Sequence, residues 1–552
     1  MAEQNSQLPA PGLARRRFDR WSAGAVLVAL LVVLPIGAVV WMALTAEQNV
    51  WPQLMSTTLP RYLRNTAILV VSVGALAGIV GTLTAWMVTM YSFAGSRWLQ
   101  WMLLLPLAIP AYVGAYALVD FLEYAGPVQS GLRASFGWVD ARDYWFFEIR
   151  SMGAAIVVLA AALFPYVFLM ARAAFREQSG SSFEVARALG ARPVARFMRV
   201  GLPLARPAIA AGSAIVMMET VSDFGVVSFF SVQTLTTGIF TTWLDGGNAA
   251  GAAQLAGVVL IVVLVLVGLE KNSRARARFF TMSGQQRPYR AIRLTGWRGW
   301  LAAVLCFIPF GVGFLLPGGV ILWHALQNAG RWLDPDLLLA FWHTLLVAGS
   351  AAILTVVASV YLVYGARMTG RRMPAVLMPL TTIGYAAPGA VLAVGLLIPM
   401  SKIDNALADL VLALSGRDIG LLMTGSAFAI VYAYFVRFFA IAQGATDAAF
   451  GRVAPSMPMA ARTLGQSPGA TLRKVYLPLI RGSVGTALLL VFVDGVKELP
   501  ATLLLRPFNY NTLATRVFEK ASLEQLGNAS PAAMLVIAVG LGAVLLLARA
   551  SR

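Results

Sequence analysis

Five ionisable residues stand inside segments that are otherwise apolar: Glu219 and Asp223 in one, Asp494, Lys497 and Glu498 in another. Glu219 and Asp223 are four residues apart, which puts them on one face of a helix. Asp494 and Glu498 repeat that spacing 275 positions further along the chain. Ionisable groups at membrane depth are costly unless paired or hydrated, so by default they mark a pathway. Four such carboxylates would line a central acidic vestibule suited to a cation or a hard metal ion, since oxygen ligands favour hard cations. The residues alone leave a second reading open. Lys497, beside Glu498 and three residues from Asp494, would neutralise one acid while the rest sit at an aqueous mouth or cap broken helices.

The elements that position these groups are membrane spans. The chain has 552 residues, of which 59% are apolar and only 12% charged, with a mean hydropathy of +0.74. A soluble domain carries about 25% charged residues, so an ordinary cytosolic enzyme is excluded. A span needs about 20 apolar residues. Stretches of that length lie at about 21–44, 63–90, 98–121, 151–175, 205–230 and 250–270, then 299–323, 340–365, 374–400, 420–442, 482–505 and 531–548. This predicts an all-α polytopic membrane protein of about twelve helices, several interrupted by prolines such as Pro110 and Pro388. The first run follows Arg15, Arg16, Arg17 and Arg20 and is longer than a cleavable signal's apolar core, so it reads as a retained anchor.

The net charge of +19 would suggest nucleic acid in a soluble protein, but the topology accounts for it. With the N-terminus inside, 31 of the 43 Lys and Arg residues fall on the cytoplasmic side. The positive-inside rule therefore orients both termini to the cytoplasm and removes nucleic acid as a partner. The lone Cys306 excludes an internal disulfide or cysteine cluster, and two histidines, His324 and His343, exclude multi-histidine metal chemistry.

The halves are similar. Ala186-Arg187-Ala188-Leu189-Gly190 recurs as Ala461-Arg462-Thr463-Leu464-Gly465, and Leu202-Pro203-Leu204 as Leu477-Pro478-Leu479, both at an offset of 275. Asn65-Thr66 recurs as His343-Thr344 and Pro110 as Pro388, at 278. The division is a cytoplasmic tail at 1–20, a first six-helix copy at 21–270, a basic cytoplasmic linker at 271–298 and a second copy at 299–552. An even number of helices per copy makes the two copies parallel, with a substrate path expected between them. The linker, with Lys271, Arg274, Arg276, Arg278, Arg287, Arg290, Arg293 and Arg298, reads as a topology-fixing connection rather than a nucleotide or lipid site.

Two loops, about 176–204 and 446–480, carry the clearest copies of the repeat, each read as a short helix, a Gly break, a second basic helix, and a Pro before the next span. The pattern Glu184, Ala186, Gly190, Leu202, Pro203 resembles the cytoplasmic coupling motif of binding-protein-dependent ABC importer permeases of type I. Arg187 lies within it. The second copy keeps Ala461, Arg462, Gly465, Leu477 and Pro478 but has Met459 where the first has Glu184, which suggests unequal engagement of two partner subunits. The resemblance implies docking of two copies of a cytoplasmic ABC ATPase, a periplasmic substrate-binding protein, and residence in a bacterial inner membrane.

The chain itself has no phosphate-binding loop: none of its lysines, Lys271, Lys402, Lys474, Lys497 and Lys520, follows a glycine. It is therefore expected to be no enzyme and to bind no cofactor, with ATP used by the partner. The stretches around Glu219, Thr236-Thr237-Gly238, Lys497-Glu498-Leu499-Pro500 and Thr512-Leu513-Ala514-Thr515 look like the fused two-domain permeases of ferric iron importers. Permeases for thiamine, phosphonate or polyamine share that architecture. A proton-coupled carrier is the competing class, although it needs no docking loops.

Overall fold

The computed structural model describes residues 20–45, 50–178, 180–275, 291–368 and 372–550. The arginines of the tail, Arg15 to Arg17, and most of those of the linker, Arg276, Arg278, Arg287 and Arg290, lie outside the described residues. Among the described residues, eleven helices are long and apolar enough to cross a bilayer, and a pair bent by 95° supplies a twelfth. In chain order the spans are Arg20–Leu44, Leu59–Met90, the bent pair Ser96–Ala108 with Ala111–Phe136, Met152–Glu177, Pro193–Ser222 and Ala249–Lys271. The remaining six are Trp297–Gln327, Pro335–Arg367, Gly389–Ser415, Phe428–Gly451, Pro468–Lys497 and Leu526–Leu546. The chain is thus an all-α polytopic membrane protein, as its hydropathy predicts.

Several sequence matches between the halves now have a physical basis. The Thr66 hydroxyl accepts the Leu235 N–H at 3.0 Å, and Thr344 accepts the Leu513 N–H at 2.8 Å. Beside them, the Asn65 amide donates to the Gln233 carbonyl at 2.9 Å, and His343 Nδ1 meets the Asn511 carbonyl at 3.0 Å. Each set pins the start of a short helix, Leu235–Phe240 or Leu513–Ser522, that also carries a threonine capping box. One N–H of each helix start is thus satisfied from span 2 or span 8, and others by the capping boxes.

Packing does not follow the sequence copies. One buried cluster joins spans 2 to 5 with Cys306 and Ile321 of span 7 and Ala532 and Val536 of span 12. A second joins spans 8 to 11 with Val39 of span 1 and Ala252 and Val259 of span 6. The first and last helices of each copy thus pack on the core of the other copy. Tyr432 of span 10 donates its hydroxyl to the Leu31 carbonyl of span 1 at 2.8 Å across this exchange.

Spans 5 and 11 begin earlier than their hydropathy indicates. The basic stretch before each was expected to be a separate helix ending at a proline. Instead the helix runs from Pro193 and from Pro468 straight into the membrane, through π-turns at Phe197–Gly201 and Leu472–Tyr476. Pro203 and Pro478 follow those turns directly. A proline removes one helical donor and crowds the carbonyl a turn back; a wider turn absorbs both effects without breaking the rod.

Helix contact is closest where glycines sit. A Cβ on Gly81 in span 2 would lie 2.8 Å from Val167 Cβ and 2.9 Å from the Phe164 carbonyl oxygen of span 4. Gly81→Ala should therefore destabilise the protein by about 1–3 kcal/mol through overpacking. Gly349→Ala, where nothing lies within 4 Å, should instead stabilise by roughly 0.5–1 kcal/mol. Thermal unfolding in detergent measures both, and equal shifts for the two variants would refute the packing argument.

Candidate translocation cavity and docking loops

Span 5 stops at Ser222, and Asp223 turns to an extended conformation. Its Oδ1 accepts the N–H groups of Val226 and Val227 at 3.0 and 3.2 Å, starting the short helix Gly225–Phe229. Span 11 stops at Lys497, and Glu498 does the same for Pro500–Leu505. Glu498 Oε1 accepts from the Ala501 N–H at 3.2 Å, and Oε2 accepts from the Thr502 N–H at 3.2 Å and its hydroxyl at 3.1 Å. The expectation that Glu219 and Asp223, and likewise Asp494 and Glu498, share one helical face is therefore corrected. One acid of each pair lies on the span, and the other caps the break after it.

The breaks nevertheless converge. A cavity of about 190 Å³ is lined by Glu219, Asp223, Asp494, Lys497 and Glu498 together, with Pro110 from the bend in span 3. Its walls keep the repeat offset of 275: Ala162, Leu163 and Tyr166 from span 4 face Arg437, Phe438 and Ile441 from span 10. Glu498 is buried, and the other three carboxylates are partly buried. The two readings of these acids thus hold side by side, since groups that cap broken helices also line the cavity.

Arg437 is the residue that sequence reasoning misplaced. Its Nη1 lies 3.5 Å from Glu498 Oε1, with side chains 15% and 3% exposed, inside the cavity wall rather than on the cytoplasmic side to which the charge count assigned it. The site of the pair is cleared by Gly389, because a Cβ there would lie 2.6 Å from Arg437 Nη1. A glycine opposite an apolar helix carrying one arginine was the available signal. Lys497 also departs from expectation: its Nζ donates to the Leu107 carbonyl at 2.6 Å, at the end of the first arm of span 3. It therefore ties span 11 of the second copy to the bend in the first. The cavity holds four acids and two bases. Among the described residues no three His, Cys, Asp or Glu side chains are grouped to hold a metal ion, so the acids form a charged wall rather than a cage.

The two candidate docking loops share their local geometry. Short helices at Gly180–Ala188 and Ser456–Thr463 end at Gly190 and Gly465, with φ of +78° and +77°. In each, the glycine N–H donates to Arg187 or Arg462 and the next N–H to Ala186 or Ala461, all at 2.9–3.0 Å. This is a left-handed helix stop that glycine adopts without strain. Phe183 anchors the first helix, 2% exposed against Trp86. Glu184, Arg187 and Arg462 are exposed, as are Pro203 and Pro478 after the π-turns, while Ala461 is buried. Met459, at the position of Glu184, is 63% exposed. Leu189 and Leu464, related by 275, are 83% and 79% exposed, an apolar pair that the motif contains and the charge-based reading passed over.

Residues 74–276 match the family described as binding-protein-dependent transport system inner membrane component. An iron(III)-transport system permease protein of Haemophilus influenzae is 27% identical over 86% of this chain and 87% of its own length. The sulfate transport system permease CysT of Salmonella typhimurium is 25% identical over 44% of this chain and 86% of its own length. The molybdenum transport system permease ModB of Escherichia coli is 28% identical over 36% of this chain and 87% of its own length. The relatives thus include one that matches most of this chain and others that correspond to a part of it.

The Arg437–Glu498 pair yields a test. Glu498→Gln leaves Arg437 buried without its counter-charge and should cost about 3–5 kcal/mol. Adding Arg437→Met should recover most of the loss. Detergent unfolding of the single and double variants measures the cycle, and purely additive losses would contradict the pairing.

Proposed function

We propose that the chain, whose residues 74–276 match the binding-protein-dependent transport system inner membrane component and which resembles a ferric-transport permease over most of its length, forms the membrane-spanning part of an ATP-driven importer of ferric iron. In this reading a periplasmic binding protein delivers cargo to the outer face. Two copies of a separate cytoplasmic ATPase engage the loops at Gly180–Ala188 and Ser456–Thr463, and both termini are cytoplasmic. The observation that carries the proposal is the cavity: broken spans of both halves of the chain meet around Glu219, Asp223, Asp494 and Glu498. Discontinuous helices around a central site are a common way for transporters to expose backbone polar groups to cargo.

The acids suit a hard cation in transit. Capping fixes Asp223 and Glu498, while Glu219 and Asp494 stand on the spans and line the cavity. Cargo that met a cage of ligands would be held too tightly to leave; a wall of spaced carboxylates lowers the electrostatic barrier and lets the ion go. The rigid stops at Gly190 and Gly465 present Leu189 and Leu464 for burial in a partner, which would transmit ATPase closure to spans 5 and 11 through helices that run unbroken from the loops to the cavity.

A second reading, an oxyanion such as sulfate or molybdate, is favoured by Arg437 and Lys497 in the same wall and by the partial-length relatives. Proteoliposomes containing the chain, its ATPase and its binding protein discriminate the two. ATP-dependent uptake of labelled ferric ion is expected, and Glu219→Gln with Asp494→Asn should lower it at least tenfold while ATPase binding persists. Uptake of molybdate instead, unaffected by the amide variants, would favour the oxyanion. In the same assay, Leu189→Asp with Leu464→Asp should abolish ATPase co-purification while the detergent melting temperature holds. Retention of the ATPase would sink the docking role.

A further inference from the structure

The face that carries the docking loops also holds a cavity unrelated to them. Where span 2 ends and span 7 begins, Tyr91 and Ser92 pair in parallel with Ile292 and Arg293, and the Leu294 N–H donates to the Ser92 carbonyl at 2.8 Å. This short bridge ties the last part of the 271–298 segment to the first copy. Beside it is a cavity of about 740 Å³ whose lining includes Arg97, Arg293, Ser92, Thr295, Trp98 and Trp300. Two guanidinium groups line it, and among the described residues no acidic side chain does. Arg298 adds a third positive charge close by, its guanidinium 5.7 Å from the Trp297 ring centre.

The surroundings are as informative as the charge. Trp98, Trp297 and Trp300 are 73%, 71% and 70% exposed. Three large indoles facing water would forfeit much apolar burial, whereas the boundary between headgroups and acyl chains accommodates both the ring and its N–H. All three lie within four residues of the start of a span, Ser96 or Trp297, where that boundary falls.

We propose that this cavity binds the phosphate-bearing headgroup of an anionic phospholipid from the cytoplasmic leaflet. Arg97 and Arg293 neutralise the phosphate, the hydroxyls of Ser92 and Thr295 stand within the same lining to donate to its oxygens, and the tryptophans seat the glycerol and upper acyl chains. The site does not depend on which cargo crosses the cavity between the copies. It gives the joining segment a second task, since a lipid held there fastens the start of span 7 to the end of span 2 as well as to the bilayer.

The test uses the full-length protein in nanodiscs of phosphatidylcholine, with or without phosphatidylglycerol, followed by native mass spectrometry of the lipid retained. The wild type should keep phosphatidylglycerol in preference to phosphatidylcholine. Arg97→Gln with Arg293→Gln should weaken that retention on the order of thirtyfold, and Arg97→Gln alone about fivefold. Arg97→Lys with Arg293→Lys should keep most of it, because the charge remains. Arg142→Gln with Arg417→Gln, which removes the same charge from exposed loops on the opposite face, should change nothing. The single variant serves as the readout if the double variant does not fold, as judged by its detergent melting temperature. Equal retention of the two lipids by the wild type, wild-type retention by the Gln variants, or binding of inorganic phosphate as tight as that of the lipid would each overturn the proposal.

Discussion

Hydrocarbon offers a backbone no hydrogen-bond partner, and that single constraint governs how this chain can interrupt its helices. Spans 3, 5 and 11 break where a side chain takes up exposed backbone groups. Asp223 and Glu498 take the N–H groups after spans 5 and 11, and Lys497 takes the Leu107 carbonyl left at the bend of span 3. The charged residues at the centre are thus structural first. Because they must stand where helices stop, and helices of both copies stop at the same place, they also create a polar space within an apolar body.

That space inherits an asymmetry from the copies. On one side Asp223 caps its helix with Ala162 opposite; on the other, Glu498 caps its helix with Arg437 opposite, in room left by Gly389. The first copy therefore presents the less compensated acid. A comparable inequality exists at the candidate docking loops, where Glu184 in one is replaced by Met459 in the other. Two-fold geometry is kept by the backbone, down to matched π-turns and matched glycine stops, while the side chains at equivalent positions differ.

Much of this was legible in the residues. Hydropathy located most spans, because twenty apolar residues have few other destinations in a chain this poor in charge. It set the ninth at 374–400, whereas the spanning helix is Gly389–Ser415, after the break at Pro388. Repeat arithmetic located the loops and paired the acids. What failed was reasoning that assumed continuity or discontinuity of a helix. Periodicity placed Glu219 with Asp223 on one face, although the helix ends between them; Leu-Pro-Ala-Thr after Glu498 was a helix-start signal that argued for a break. Conversely, Pro203 and Pro478 were taken as stops, although a π-turn carries the helix past them. Arg437 lay within the expected span 420–442 and was still counted as cytoplasmic, because a charge near the end of an apolar run is given to water by default. The exchange of outer helices left no trace, since an apolar helix suits either neighbour equally well.

That exchange has a consequence for how the protein is made. Spans 1 and 6 bury their faces against spans 8 to 11, which are synthesised after them. When the first copy has entered the membrane, two of its helices still lack the surfaces they are shaped for, and lipid must cover them until the second copy arrives. Having both copies on one polypeptide fixes the waiting helices and their late partners at a single address in the bilayer. Assembly becomes a matter of chain length and elongation time rather than of two subunits finding each other.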